Sequence, residues 1–147
     1  VPEVRRRPFA GSTTASTTTA RSTTASTTTA TVPPDLPPYR WRATGIDAAL
    51  AGRMRTSWHT GCPVPLDELR YLRLSYVGFD GRAHQGELVV DRAVVDDVVT
   101  AFGRLYRQGF PIRSLRLVDD FGGSDDASMA ADNTSAFNCR RTTSGAR

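Results

Sequence analysis

Lysine is missing from this chain, so each of its 19 basic residues is an arginine. That bias carries no function by itself, but the placement of charge does. In the first 43 residues Arg5, Arg6, Arg7, Arg21, Arg40 and Arg42 stand against only Glu3 and Asp35. The remaining arginines and carboxylates cancel, so the whole net charge of +4 sits at the front of the chain. A nucleic-acid interface needs a basic stripe on a folded face with aromatics between, and a neutral folded part speaks against nucleic acid as a partner. No apolar run approaches the ~20 residues of a membrane span. No signal-peptide pattern is visible either, which says little of destination in a sequence that opens at Val1.

Cysteine and histidine are scarce, two of each. Cys62 and Cys139 form no CxxC pair, which removes thioredoxin-like exchange and a cysteine-rich zinc knuckle. Two readings remain: one disulfide in an exported protein, or two buried thiols. The disulfide is the favoured reading. His59 and His84 are read as loop residues with no carboxylate or cysteine at ligand spacing, so a metal role is not expected of either.

What the chain has in excess is serine and threonine. Residues 12–31 repeat a ten-residue Ser/Thr/Ala unit twice and run into Pro33, Pro34, Pro37 and Pro38. Such a stretch buries too little apolar surface to offset its conformational entropy. Residues 1–43 are therefore expected to be a disordered basic tail, an extended and passive spacer. Residues 44–147 are expected to hold the folded part.

In residues 70–77, Leu72, Leu74 and Tyr76 alternate with Arg73 and Ser75, the pattern of a half-buried strand. Phe79-Asp80-Gly81 supplies turn chemistry, and residues 86–90 can return as the antiparallel partner across a longer loop. Asp91 then caps a helix over residues 92–108, whose stripe is Val94, Val95, Val98, Phe102, Leu105 and Tyr106. Asp96 and Asp97 lie near its start and Arg104 and Arg107 near its end, complementing the dipole. Gly109 and Pro111 stop it. A further strand-like run covers residues 112–118. An α+β domain follows, with an antiparallel or mixed sheet and one main helix.

The acidic loop Asp119, Asp120, Asp125 and Asp126 lacks EF-hand spacing and reads as solvated. Asn133, Thr134 and Ser135 read as local turn formers, and no Gly-x-Ser-x-Gly elbow surrounds Ser135. Arg140, at the end of a short apolar strand, offers a fork of donors for a carboxylate or an oxyanion. An ordinary ion pair with a loop aspartate is the competing reading.

Several of these segments, taken in order, resemble one family. They are Gly61-Cys62-Pro63-Val64-Pro65-Leu66, residues 69–76, Phe79-Asp80-Gly81, Gly86-Glu87-Leu88-Val89-Val90 and, above all, residues 128–140, which end in Asn133-Thr134-Ser135-Ala136-Phe137-Asn138-Cys139-Arg140. The set is similar to the zinc-dependent peptidoglycan peptidases of the VanY-type D-Ala-D-Ala carboxypeptidase and L-alanyl-D-glutamate peptidase group. The resemblance implies a Hedgehog/DD-peptidase-like fold, present here as a partial domain, and amide hydrolysis in peptidoglycan peptides by an exported or wall-associated enzyme. It also implies zinc in the full-length protein, held by a His-x-x-Gly-x-Ala-x-Asp segment and a later histidine. This sequence has no matching positions for those ligands. It is thus expected to be the front part of such an enzyme, inactive alone and without catalytic zinc. Many relatives carry Ser-Gly-Tyr-Arg just before the metal segment. Ser135 matches its start, Asn138 stands where the arginine is expected, and Arg140 is the same-face substitute. Arg140 is therefore the candidate substrate or oxyanion contact, with Ser135 and Asn138 as candidate substrate-binding residues. A non-catalytic cell-wall-binding module is the alternative function.

Overall fold

The computed structural model of the protein describes residues 35–140. The ten-residue repeat and its expected disorder lie outside that range. Within it the fold is α+β: a three-stranded antiparallel sheet in the order β1-β2-β3, one main helix, and a small parallel pair. The strands are β1 (Trp41–Thr44), β2 (Leu69–Val77) and β3 (Ala83–Asp91), with α1 (Ala48–Arg53) between the first two. Helix α2 (Val95–Arg107), β4 (Ser114–Leu115), α3 (Asp125–Ala130) and β5 (Asn133–Thr134) complete the chain.

The boundary expected at residue 43 falls inside β1 and is corrected toward the N-terminus. Trp41 to Thr44 pair with Leu74 to Tyr71 of β2. Ahead of them the Tyr106 hydroxyl donates to the Pro37 carbonyl at 2.7 Å. The Tyr39 hydroxyl donates to Val99 O at 3.0 Å, and its ring lies 5.6 Å from that of Tyr106. Burial pushes the Tyr39 phenol up to about 12, partly offset by Arg107. Proline-rich sequence signals stiffness but not what it packs against; here two tyrosines supply the docking surface.

β2 and β3 pair along nine positions, Leu69 with Asp91 through Val77 with Ala83. The hairpin turn is tighter than the sequence predicts, because β3 starts three residues before Gly86. Gly78 N–H donates to Arg82 O at 2.8 Å, and Gly81 takes φ +72°. His84 accordingly sits in a strand rather than a loop, 2.9 Å from the Asp80 carboxylate and stacked on Tyr76.

Both sheet faces are covered. Leu72, Leu74, Leu88 and Val90 face α2 through Val99, with Leu115 joining them from β4. On the opposite face Leu69 and Val89 meet Met54, Leu117 and the flanking Leu50, Trp58 and Phe137. The half-buried reading of β2 is therefore corrected. Ser75 is buried because its hydroxyl accepts from Arg40 N–H and from Gln85 Nε2.

Asp91 caps as expected, its carboxylate accepting from Ala93 N–H at 2.8 Å. The cap opens a 3₁₀ turn over Arg92–Val94, and the α-helix proper starts at Val95. That turn rotates Val94 out to solvent, and Val99 takes its place in the buried stripe. The expected strand over residues 112–118 shrinks to Ser114–Leu115, because Val118–Phe121 turns as 3₁₀ helix.

Candidate functional site

The segment with the most informative sequence, residues 128–140, is a strap laid over the second face of the sheet. Ser124 caps α3 by accepting from Ala127 N–H at 3.1 Å. Asp132 at φ +56° then turns the chain into β5, which pairs in parallel with β4. Asn133 is the rivet between them. Its Oδ1 accepts from the Ser114 hydroxyl and from Arg116 N–H, while its Nδ2 donates to Arg116 O and to the Ser128 hydroxyl. The expectation of a purely local turn is corrected: these bonds reach back 17 and 19 residues.

Beyond β5 the strap runs extended. Phe137 N–H donates to Val89 O at 3.1 Å, and Cys139 N–H to Ser57 O at 2.8 Å. Alternation sends Phe137 inward to Leu69 and Val89, whereas Asn138 and Arg140 turn to the α3 side. Asn138 Nδ2 donates to Asp125 Oδ1 at 2.9 Å and to Gly123 O at 3.2 Å. The Arg140 guanidinium pairs with the same Asp125 carboxylate and stays 66% exposed. The structure thus brings two of the three candidate residues together. Ser135, half-buried earlier on the strap, takes no part in that group.

Three of the four loop aspartates are bonded within the fold rather than solvated. Asp119 accepts four hydrogen bonds, from the backbone N–H and hydroxyl of both Thr56 and Ser57, at 2.6 to 3.1 Å. Those bonds fix the turn after α1, where Ser57 is 1% exposed. Asp120 accepts from Arg53 and Arg116. Charge-assisted bonds to positioned donors have replaced water at these carboxylates, while Asp126 stays exposed, as expected from the sequence.

Arg53 also forks onto Glu87, at 2.7 Å and 3.1 Å, and the Tyr71 hydroxyl donates to Glu87 Oε1. The Arg53 hydrogen bond holds the Glu87 carboxyl below the usual carboxylate range, against the opposing effect of burial. The same pairing raises Arg53, and burial, with the Glu87 bond, pushes Tyr71 up to about 12. No sequence spacing pointed to this cluster, since Arg53, Tyr71, Glu87 and Asp120 come from four separate elements. A depressed carboxyl stabilises the fold above its unfolded value and loses that contribution as pH falls through its folded value. The urea midpoint should therefore drop as pH falls from about 5 to about 3. Glu87→Gln should flatten that drop by roughly 1 kcal/mol, a partly exposed pair being discounted for solvent. An unchanged slope in the variant would remove Glu87 from the acid response.

Cys62 and Cys139 form the expected disulfide. His59 stands beside it, with Nε2 3.8 Å from Cys139 Sγ. His59 is an exposed loop residue as expected, but the reading that no cysteine stands at ligand spacing from it is corrected. Its ring is brought there by a turn in which Cys62 N–H donates to His59 O. Among the described residues these three are the one group of histidine, cysteine and carboxylate side chains with three donor atoms close together, all within 4.8 Å. Cystine sulfurs carry no thiolate charge, which leaves one imidazole. The group as it stands does not fit a hydrolytic zinc, which needs three charged or imidazole donors and an open position.

No family model, curated protein or solved structure matches this chain. Among the described residues, no helix is long and apolar enough to cross a membrane.

Proposed function

We propose that the domain belongs to a peptidase acting on peptidoglycan peptides, of the D-Ala-D-Ala carboxypeptidase or L-alanyl-D-glutamate peptidase class. In this reading it is built on the Hedgehog/DD-peptidase-like plan, and the strap supplies the substrate-holding edge. The observation that carries the reading is Asn138 and Arg140 side by side on Asp125, with the guanidinium open to solvent. A planar fork of N–H donors, held in place from one side, suits a peptide carboxylate or a polarised carbonyl arriving from the other. The motif that bears it is the part of the sequence most like those peptidases.

Zinc, when bound in such an enzyme, supplies an activated water. With Cys62 and Cys139 joined as cystine the described residues offer no set that fits it, so their assigned work is binding and orientation alone. The misfit favours a second reading, a wall-binding module without hydrolysis. An exported or wall-associated location agrees with the cystine and with the Ser/Thr/Pro-rich run.

Co-sedimentation with purified peptidoglycan, in salt high enough to screen the basic front of the chain, tests the reading. The wild-type chain should be retained. Arg140→Ala should lose about tenfold in affinity, the worth of one charge-assisted hydrogen bond. Free stem pentapeptide ending in D-Ala-D-Ala should compete, and mass spectrometry should find that peptide uncut. No retention, or equal retention of the Arg140 variant, defeats the proposal. Chelator-sensitive cleavage would defeat both the binding-only assignment and the second reading.

A further inference from the structure

We propose that His59, Cys62 and Cys139 constitute a redox-gated metal site: once the cystine is reduced, they hold a thiophilic cation such as Zn²⁺, and oxidation of the two thiolates expels it. The inference is independent of the peptidase reading.

Three observations place the donors without help from the S–S bond. Residues 59–62 form a turn closed by Cys62 N–H to His59 O at 3.1 Å, which sets imidazole and thiol side by side. His59 Nδ1 lies 3.0 Å from Thr60 O. A carbonyl only accepts, so Nδ1 carries a proton, and in the neutral ring the lone pair is on Nε2, the arrangement that orients metal-bound histidines. Cys139 is seated by its own N–H bond to Ser57 O, and Ser57 is clamped by Asp119.

The spacing suits a tetrahedral ion. Bonds of about 2.3 Å to sulfur and about 2.0–2.1 Å to nitrogen put ligand atoms roughly 3.5–3.8 Å apart. Nε2 already stands 3.8 Å from Cys139 Sγ and all three donors lie within 4.8 Å of one another, so the main movement required is separation of the two sulfurs on reduction. His59 N–H donates to Cys62 Sγ at 3.3 Å, a bond that strengthens when the sulfur becomes a thiolate. His59 is exposed and both cysteines are half-buried, so an ion enters directly from solvent. Water fills the fourth position.

The full chain is reduced with a phosphine. The phosphine becomes its oxide with the oxygen of one water, and that water's protons go to the two cysteine sulfurs. After desalting under argon, the chain is titrated with Co²⁺ as the spectroscopic probe. One Co²⁺ per chain should bind, with a thiolate charge-transfer band and the intense d–d bands of tetrahedral cobalt. Zn²⁺ should displace it and raise the melting temperature of the reduced chain. Oxidised glutathione should then convert the two thiolates to cystine, releasing two glutathione thiolates and the ion. His59→Ala, whose fold is checked in the oxidised state where its cystine is intact, should bind Co²⁺ at least about tenfold more weakly. No uptake by the reduced chain, whether it is folded or unfolded, overturns the site. So does equal affinity in the His59 variant, or the same spectrum from the oxidised chain.

Discussion

Replacing Cys62 and Cys139 together by serine should lower stability by about 4 kcal/mol. The link joins residues 77 apart, so in the unfolded state it removes the freedom of more than half the described chain. Serine preserves size and leaves the backbone bonds of the strap available, so the loss isolates the covalent closure. For a domain of this length it corresponds to a melting shift on the order of 20 °C. The comparison is made between oxidised wild type and the double variant, by urea titration. A loss below about 1 kcal/mol would mean that the unfolded chain is already compact around this loop.

Gly86→Ala should cost about 2–3 kcal/mol although it adds a single methyl group. Gly86 lies in register opposite Leu74, on the face that packs against α2. Leu115 occupies the space its side chain would need. A Cβ built there meets Leu115 Cδ2 at 2.4 Å and Leu115 Cβ at 2.6 Å. The second of these is the decisive distance, since a Cβ moves only with its backbone, and Leu115 is 1% exposed and tied to β5. The cost is steric, because the residue lies in an ordinary strand. Leu115→Ala opens a cavity of its own and should also destabilise. The double variant should be more stable than the sum of the single losses predicts, by at least about 1 kcal/mol. Strict additivity would show that the two residues do not compete for one volume.

The elements legible in the sequence were those with a local signal. β2 announced itself by alternation, α2 by its three-and-four stripe, and the stop at Gly109 by the missing side chain. The disulfide was legible by arithmetic, since there were only two cysteines to join. What stayed hidden depends on partners distant in sequence. Ser75 looked like a solvent-facing strand residue until Arg40 and Gln85 supplied its hydrogen bonds. The aspartates looked solvated because nothing local marked Thr56, Ser57 or Arg53 as their donors. His59 lies three residues from one cysteine but 80 from the other. Spacing on a line does not reveal a triangle. For the strap, two-residue periodicity put Asn138 and Arg140 on one side, and the competing reading of Arg140, an ion pair with a loop aspartate, is the pairing observed; that Asn138 shares that aspartate needed the three-dimensional turn after α3.

The order of assembly is built into where the strap's partners lie. The β2–β3 hairpin and the helix that covers it are complete by Arg107, and Leu115 closes their core soon after. The bonds to Val89 and Ser57, and the cystine, require residues 137 to 139. On a ribosome the sheet and α2 are therefore available as a template before the segment that will cross it has been made. Until then the face of Leu69, Val89 and Trp58 lacks the cover of Phe137, and a nascent chain paused between these two stages is the form most in need of a chaperone.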